Sequence, residues 1–553
     1  MAMARKIHMK PTPAETKGSQ ATILWRGRLL TLENAGILAV QEHGLGHFQS
    51  VAEIYQAMLV KAPGYAEGHN NRGVALQKLG RHEEALAAYD RAVALKSDYA
   101  NAHFNRGSLL KRMGRHEEAL ASYDRAILLN PLHAEALNNR AALLQVMHRP
   151  DEALRGYDQV LAIQPDHAEA LNNRGTVLAS LGRMDEAEQM FRRACEVRPN
   201  FSDPWYNLTE SRRYSDPEAP DARQIRALLG QGNLSADDRE QLLFGLGKIL
   251  DDCDLPDEAF DCFREANDLR GRAASYDRQR VTRLTDAIIE VFTREFLALP
   301  SAAATSSSTP VFIVGMPRSG TTLLANMLAN HPAVAQAGEL TVISDFAADL
   351  RRIAGTRLPY PHGVKHLAAE PARTLVRDQE RQLRLHLRPG TRYVIDKNPL
   401  NFRHLGLMAR LFPKARIIHC MRNARDTAIS NYFQRFPTFL DYSFNLRHLA
   451  HFQMEYLRLM QHWRGTGLNM IEISYEDAVT QTVPVAQQLL TFLGLDWDER
   501  CLSPHTNSSP IETASKWQVR QPIYTRSVGR WRRYEKQLGP WEEVFGANNL
   551  SLN

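Results

Sequence analysis

Cysteine is scarce in this 553-residue chain: Cys195, Cys253, Cys262, Cys420 and Cys501 are scattered, with no C-x-x-C pair and no Cys/His cluster at metal-ligand spacing. That pattern excludes a disulfide framework and a zinc module, and predicts reduced thiols and no metal. No apolar run reaches the roughly 18–20 residues of a bilayer span. The basic start, MAMARKIHMKPTPAETKGSQ, lacks the apolar segment of a signal peptide. A cytoplasmic chain with no membrane span is therefore expected. Charge of one sign is also in short supply, at a net +6 from 68 Lys+Arg and 62 Asp+Glu. This admits an anionic ligand and gives no ground for a nucleic-acid partner. The length calls for two or three domains.

What is present begins with a repeat. Asn71, Asn105, Asn139, Asn173 and Asn207 stand 34 residues apart, and Ala85, Ala119, Ala153 and Ala187 keep the same step. So do Tyr89, Tyr123, Tyr157 and Phe191. Each unit reads as two helices joined at a Gly-Arg or His-Arg turn, and stacking such units buries an apolar face that no single unit can bury alone. The pattern resembles the tetratricopeptide repeat, clear over 66–201, weaker at 32–65 and degenerate at 246–267. The resemblance implies an all-α superhelix over 32–297 after an N-terminal extension, 1–31.

The Asn row has two readings. Spaced amides can hydrogen-bond an extended peptide along the groove, or they can serve the repeat's own helix contacts. Arg72, Arg106, Arg140 and Arg174 likewise either favour an acidic partner or form a solvated face.

The small, polar, proline-ended stretch at 298–309 reads as a linker. From 310 to 553 apolar strands alternate with helices: VFIVG, RYVIDK, ARIIHCMR and MIEIS each precede a helical segment. This predicts an α/β domain built on a parallel sheet, with its ligand beyond the carboxyl ends of the strands.

One absence here carries chemistry. GMPRSGTT (315–322) has the strand–glycine–helix outline of a phosphate-binding loop, but Thr321 stands where the usual lysine would be. No clear strand of the Walker-B kind is read to complete a magnesium site, which weakens an ATPase or kinase reading. Arg318 is the loop's cation, and the loop amides with the Thr321 and Thr322 hydroxyls supply donors for an anion. One strand later, Arg422 and Ser430 offer a cation and a hydroxyl that can grip a second phosphate.

PRSGTTLL and CMRNARDTAISNYFQ resemble the two nucleotide motifs of sulfotransferases that use 3′-phosphoadenosine 5′-phosphosulfate, and the whole of 310–535 is most similar to the tyrosylprotein sulfotransferases. The resemblance implies nucleotide contacts from Arg318, Ser319, Gly320, Thr321, Thr322, Arg422, Ser430 and Tyr475, and from Ser515 and Arg530 in a C-terminal loop. It implies Glu339 as catalytic base, with Lys397 and Arg318 stabilising the transferring group. Gln434 stands where the family has an Arg, with Arg435 adjacent. The aromatic stretch 431–444 either lines an acceptor pocket or packs in the core.

Three readings stay open. The acceptor is a protein tyrosine recruited by the repeats, or a saccharide or small phenol with the repeats used for oligomerisation. In the third, the chain is a repeat scaffold whose nucleotide domain is inactive.

Overall fold

The computed structural model describes residues 21–272, 275–301, 303–305, 307, 309–507 and 518–546. The chain divides into two compact units at Val177/Leu178.

The first unit opens with an antiparallel hairpin, β1 (Thr22–Trp25) and β2 (Arg28–Thr31), turned at Arg26 and Gly27 with φ of 47° and 77°. Paired helices follow: Leu32–Gly44 with Phe48–Lys61, Ala66–Lys78 with His82–Leu95, Ala100–Arg112 with His116–Leu129, and Ala134–Val146 with Pro150–Ile163. The repeat positions explain the pairing. Ala85, Ala119, Ala153, Tyr89, Tyr123 and Tyr157 are all fully buried. A Cβ on Gly73 would come within 2.7 Å of the Tyr89 ring, and one on Gly107 within 3.0 Å of the Tyr123 ring. Glycine on one helix therefore lets the aromatic ring of the next lie flat against it. The turn glycines Gly80 and Gly114 take φ of 77° and 75°, and His148 accepts the same left-handed conformation at 56° in the fourth pair.

The second unit continues with helices Met184–Val197, Ser202–Glu210, Pro220–Leu229, Ala236–Asp252, Pro256–Gly271 and Arg278–Val291. Its sheet has five parallel strands: β3 (Pro310–Gly315), β4 (Val334–Gln336), β5 (Tyr393–Asp396), β6 (Arg416–Met421) and β7 (Met470–Ser474), in the order β4-β5-β3-β6-β7. All six residues of β3 are buried, as a central strand covered on both faces demands. The chain steps from β3 to one side for β4 and β5, then returns past β3 to add β6 and β7. The order therefore reverses between β3 and β6, which places a crevice at their carboxyl ends. In the segment before β3, Thr305 is fastened to the Leu411 carbonyl (2.9 Å) and to Glu380 (2.7 Å).

The expected fold class, a helical repeat array and an α/β domain on a parallel sheet, is what forms. The short edge strand β4 and the N-terminal hairpin had no alternating pattern long enough to announce them. No helix among the described residues is long and apolar enough to cross a membrane.

Removing the Tyr123 ring empties fully buried space beside Gly107, so Tyr123→Ala should lower stability by about 3–5 kcal/mol, read as a shifted urea midpoint. An unchanged midpoint would contradict the packing described.

Candidate active site

The strand β3 ends at Gly315, where a Cβ would collide with the carbonyl oxygen of Cys420 on β6. The loop then turns through Arg318, at φ 69°, and Gly320, at φ 101°. Any side chain at Gly320 would meet the Tyr475 ring within 2.5 Å. Helix Thr321–Ala329 starts with no side-chain cap on its first amides, so its N-terminus is open to an anion.

Helix Ala424–Tyr432, which follows β6, grips this loop. Asn431 donates to the Pro317 carbonyl (2.8 Å), and Arg318 Nε donates to Ser430 Oγ (3.1 Å). Arg422 donates to the Arg318 carbonyl (2.9 Å) and to the Ser527 carbonyl (2.7 Å), and its guanidinium lies 4.6 Å from the Tyr475 ring centroid. Its Nε has no partner among the described residues.

Both loops open onto one cleft of about 760 Å³, including its mouth. Arg318, Gly320, Thr321, Thr322, Arg422, Ser430, Tyr475 and Arg530 all line it, so eight of the residues named from sequence converge. A C-terminal strap, residues 518–534, supplies much of the remaining wall through its 518–530 stretch. Ser319 does not join them: it is 1% exposed, and its hydroxyl is turned under the loop toward Gly315. Ser515 lies outside the described residues.

Three guanidinium groups in one cleft make it strongly positive. Burial, and next the neighbouring Arg422, press Arg318 below its usual range. Any bound anion relieves both effects. The cleft volume lies within the range of small-molecule sites, and the unpartnered Arg422 Nε with the uncapped helix start fits a ligand anionic at both ends.

Glu339 and Lys397 form an ion pair with each other and do not line the cleft. Lys397 is buried at the end of β5, and Glu339 is half exposed. The chain carrying Glu339 is clipped to the β5 end: Lys397 N donates to the Gly338 carbonyl (2.8 Å), Asn398 to the Leu340 carbonyl (3.0 Å), and Leu340 N to Asp396 (3.3 Å). Asp396 is buried and also accepts from Gln379 (2.8 Å).

Elsewhere the structure corrects the sequence. Asn71 is 1% exposed, and its amide donates to Tyr55 (3.0 Å), so it serves helix packing and is closed to a peptide. Asn105 donates to Asn70 (2.9 Å), while Asn139 and Asn173 stay half buried. Arg106, Arg140 and Arg174 pair with Asp90, Asp124 and Asp158 of the preceding repeat, which spends their charge internally. Gln434 meets the Tyr206 hydroxyl (3.3 Å), Arg435 pairs with the buried Glu240, and neither lines the cleft. Of the 431–444 aromatics, Phe433 stacks on Phe263 and Tyr442 on Phe452, which is core packing. Asp426 and Asn431 went unread in the sequence because their role is to hold backbone from remote segments. Asp426 accepts from Gly529 N (2.6 Å) and Trp531 N (2.8 Å).

Burial lifts Asp396 from 3.8 to about 7. The folded chain then holds a proton that the unfolded chain has lost, so stability falls as pH rises from about 4 to about 7. Asn at this position does not titrate, and Gln379 can flip its unpartnered Oε1 to meet the new amide. The melting temperature of Asp396→Asn relative to wild type should therefore climb across that window in thermal unfolding at stepped pH. Parallel pH profiles would contradict this.

The Sulfotransferase family profile matches residues 310–499, and tetratricopeptide repeat profiles match 78–114, 100–132 and 132–200. An uncharacterized protein of Aquifex aeolicus is 32% identical over 339 residues, 58% of this chain and 43% of that protein. Protein-tyrosine sulfotransferase 1 of Danio rerio is 25% identical over 241 residues, 40% of this chain and 65% of that protein. The chain thus spans less than two thirds of either relative. Among solved structures, a tetratricopeptide repeat protein from Parabacteroides merdae is similar at 22% identity, covering 43% of this chain and 92% of that one with a TM-score of 0.35. MamA is similar at 23% identity, covering 29% and 95% with a TM-score of 0.28. The chain carries tetratricopeptide repeats followed by a domain of the sulfotransferase family.

Proposed function

We propose that the sulfotransferase domain takes its sulfuryl group from 3′-phosphoadenosine 5′-phosphosulfate and delivers it to a hydroxyl, with a protein tyrosine as acceptor. The observation that carries this reading is the convergence of two anion-suited loops on one cleft. A nucleotide with a single phosphate tail needs only one of them, whereas a 3′-phosphate needs the second. The zebrafish relative's name supports the tyrosine acceptor.

When bound, the donor supplies a sulfuryl group attached to a phosphate that leaves readily. Arg318, the Thr321 and Thr322 hydroxyls and the helix-start amides would hold the phosphosulfate oxygens and stabilise charge as it develops. Arg422 and Ser430 would hold the 3′-phosphate, with Tyr475 packed beneath Arg422. Arg530 adds charge from the strap. Glu339, released from Lys397, would accept the acceptor's hydroxyl proton. Lys397 would lend its positive charge to the transferring group. Nothing else in this assignment requires covalent participation by the protein: alignment and charge do the work.

The division of labour follows the composition. Residues 310–553 carry the transfer, 298–309 join it to the helical part, and the repeats recruit the polypeptide acceptor, as stacked repeats offer extended concave surfaces.

Adenosine 3′,5′-bisphosphate should raise the melting temperature and ATP should not; equal shifts would remove the 3′-phosphate site. Glu339→Ala should cut turnover of tyrosine peptides by roughly 10²–10⁴-fold while the bisphosphate shift persists. Sulfation of saccharides with peptides left untouched would remove the tyrosine acceptor.

A further inference from the structure

Arg530 lines the cleft, yet its carboxylate partner comes from the helical part of the chain. Asp251, on the last turn of helix Ala236–Asp252, pairs with Arg530. The same carboxylate accepts from the Tyr534 hydroxyl (2.5 Å) and lies 3.3 Å from Arg533 Nη1, and the Asp251 backbone carbonyl accepts from Arg533 Nη2 (2.9 Å). Tyr534 is fully buried, edge-on to Phe433 at 4.8 Å, and the Arg530 guanidinium lies 5.2 Å from that same ring.

A carboxylate at a helix C-terminus opposes the helix dipole, so Asp251 does nothing for its own helix. Its neighbour Asp252 is engaged by Lys248 one turn back and by the Tyr214 amide (3.1 Å). Asp251 instead points wholly into the strap. From the other side Asp426 holds the strap's backbone at Gly529 and Trp531, and Arg422 holds Ser527. The strap has no strand pairing, and carboxylates from different elements hold it: Asp426 fixes the backbone, Asp251 fixes Arg530 and Tyr534, and Asp251 and Asp254 share Arg533.

We propose that Asp251 is the positioning residue for Arg530, so that the helix pair Ala236–Asp252 and Pro256–Gly271 completes the donor cleft in addition to any recruiting role of the repeats. This rests on the donor reading given above. Burial opposes the charge on Arg530, and Asp251 together with Tyr534 and Asp252 outweighs it, which keeps the guanidinium above its usual range; the Asp251 pair aims it from a fixed origin. Without that anchor the side chain is free to leave the cleft wall, and Tyr534 keeps a buried hydroxyl with no acceptor there.

The test is adenosine 3′,5′-bisphosphate affinity by calorimetry on the full chain. Asp251→Asn should weaken binding about tenfold, near 1.4 kcal/mol. Asp251→Glu should recover most of it, and Asp254→Asn, which takes a partner from Arg533 alone, should leave it within about twofold. In an Arg530→Met background Asp251→Asn should add less than about twofold, because the two act as one unit. An equal loss in both backgrounds, or none in either, overturns the proposal. Hydrogen exchange of residues 518–534 is measured without ligand on the same proteins. Absent bisphosphate binding in wild type counts against the donor reading, whereas unchanged exchange in Asp251→Asn counts against the positioning role.

Discussion

The site depends on how closely β3 can approach the end of β6. Gly315 lies where any side chain would strike the Cys420 carbonyl. That approach lets the loop after β3 and the helix after β6 share hydrogen bonds: Asn431 to Pro317, Arg318 to Ser430, Arg422 to the Arg318 carbonyl. Cys420 Sγ adds a contact to the Ser319 carbonyl at 3.0 Å. With the two loops locked, the left-handed turns at Arg318 and Gly320 are over-determined by their surroundings, which is the condition under which such strain persists.

The second constraint is charge. Arg318 and Arg422 are met by neutral oxygens from Ser430, Gln518, Ser527 and the loop backbone. These acceptors orient the two guanidinium groups, while Tyr524 and Glu210 also act on the Arg318 charge, so the donors are fixed before any ligand arrives. A site arranged this way needs little reorganisation when negative charge arrives. Arg530 differs, since Asp251 both orients and partly neutralises it. The helical segment from 178 onward is thus tied to the parallel-sheet fold by specific polar contacts. Arg435 and Arg270 converge on the buried Glu240, and Asn267 donates to the Tyr432 carbonyl at 2.8 Å.

Legibility varied with the range of the interaction. The 34-residue period, the glycine turns and the strand–helix alternation are local, because each arises from side chains within a turn or two of one another. The cleft's two loops were legible too, since each carries its donors in a short run. Ser319 misled because adjacent loop residues face opposite ways. Asn71 stayed ambiguous between two readings because Tyr55, its partner at 3.0 Å, belongs to the neighbouring helix pair. Asp426, Asn431, Gln379 and Asp251 carry no local pattern at all. Each is an ordinary polar residue until a remote backbone or guanidinium arrives beside it.

The amino-acid sequence by itself determined the repeats, the parallel α/β domain and the residue types of two anion-binding loops, because periodicity, turn glycines and clustered donors are properties of short stretches. Only the tertiary structure decided that those loops open onto one cleft. It also decided that Glu339 and Lys397 pair outside its lining, and that a helical carboxylate holds Arg530. These are contacts between residues tens to hundreds of positions apart. Strand order and helix docking bring them together, and no short stretch of chain encodes either.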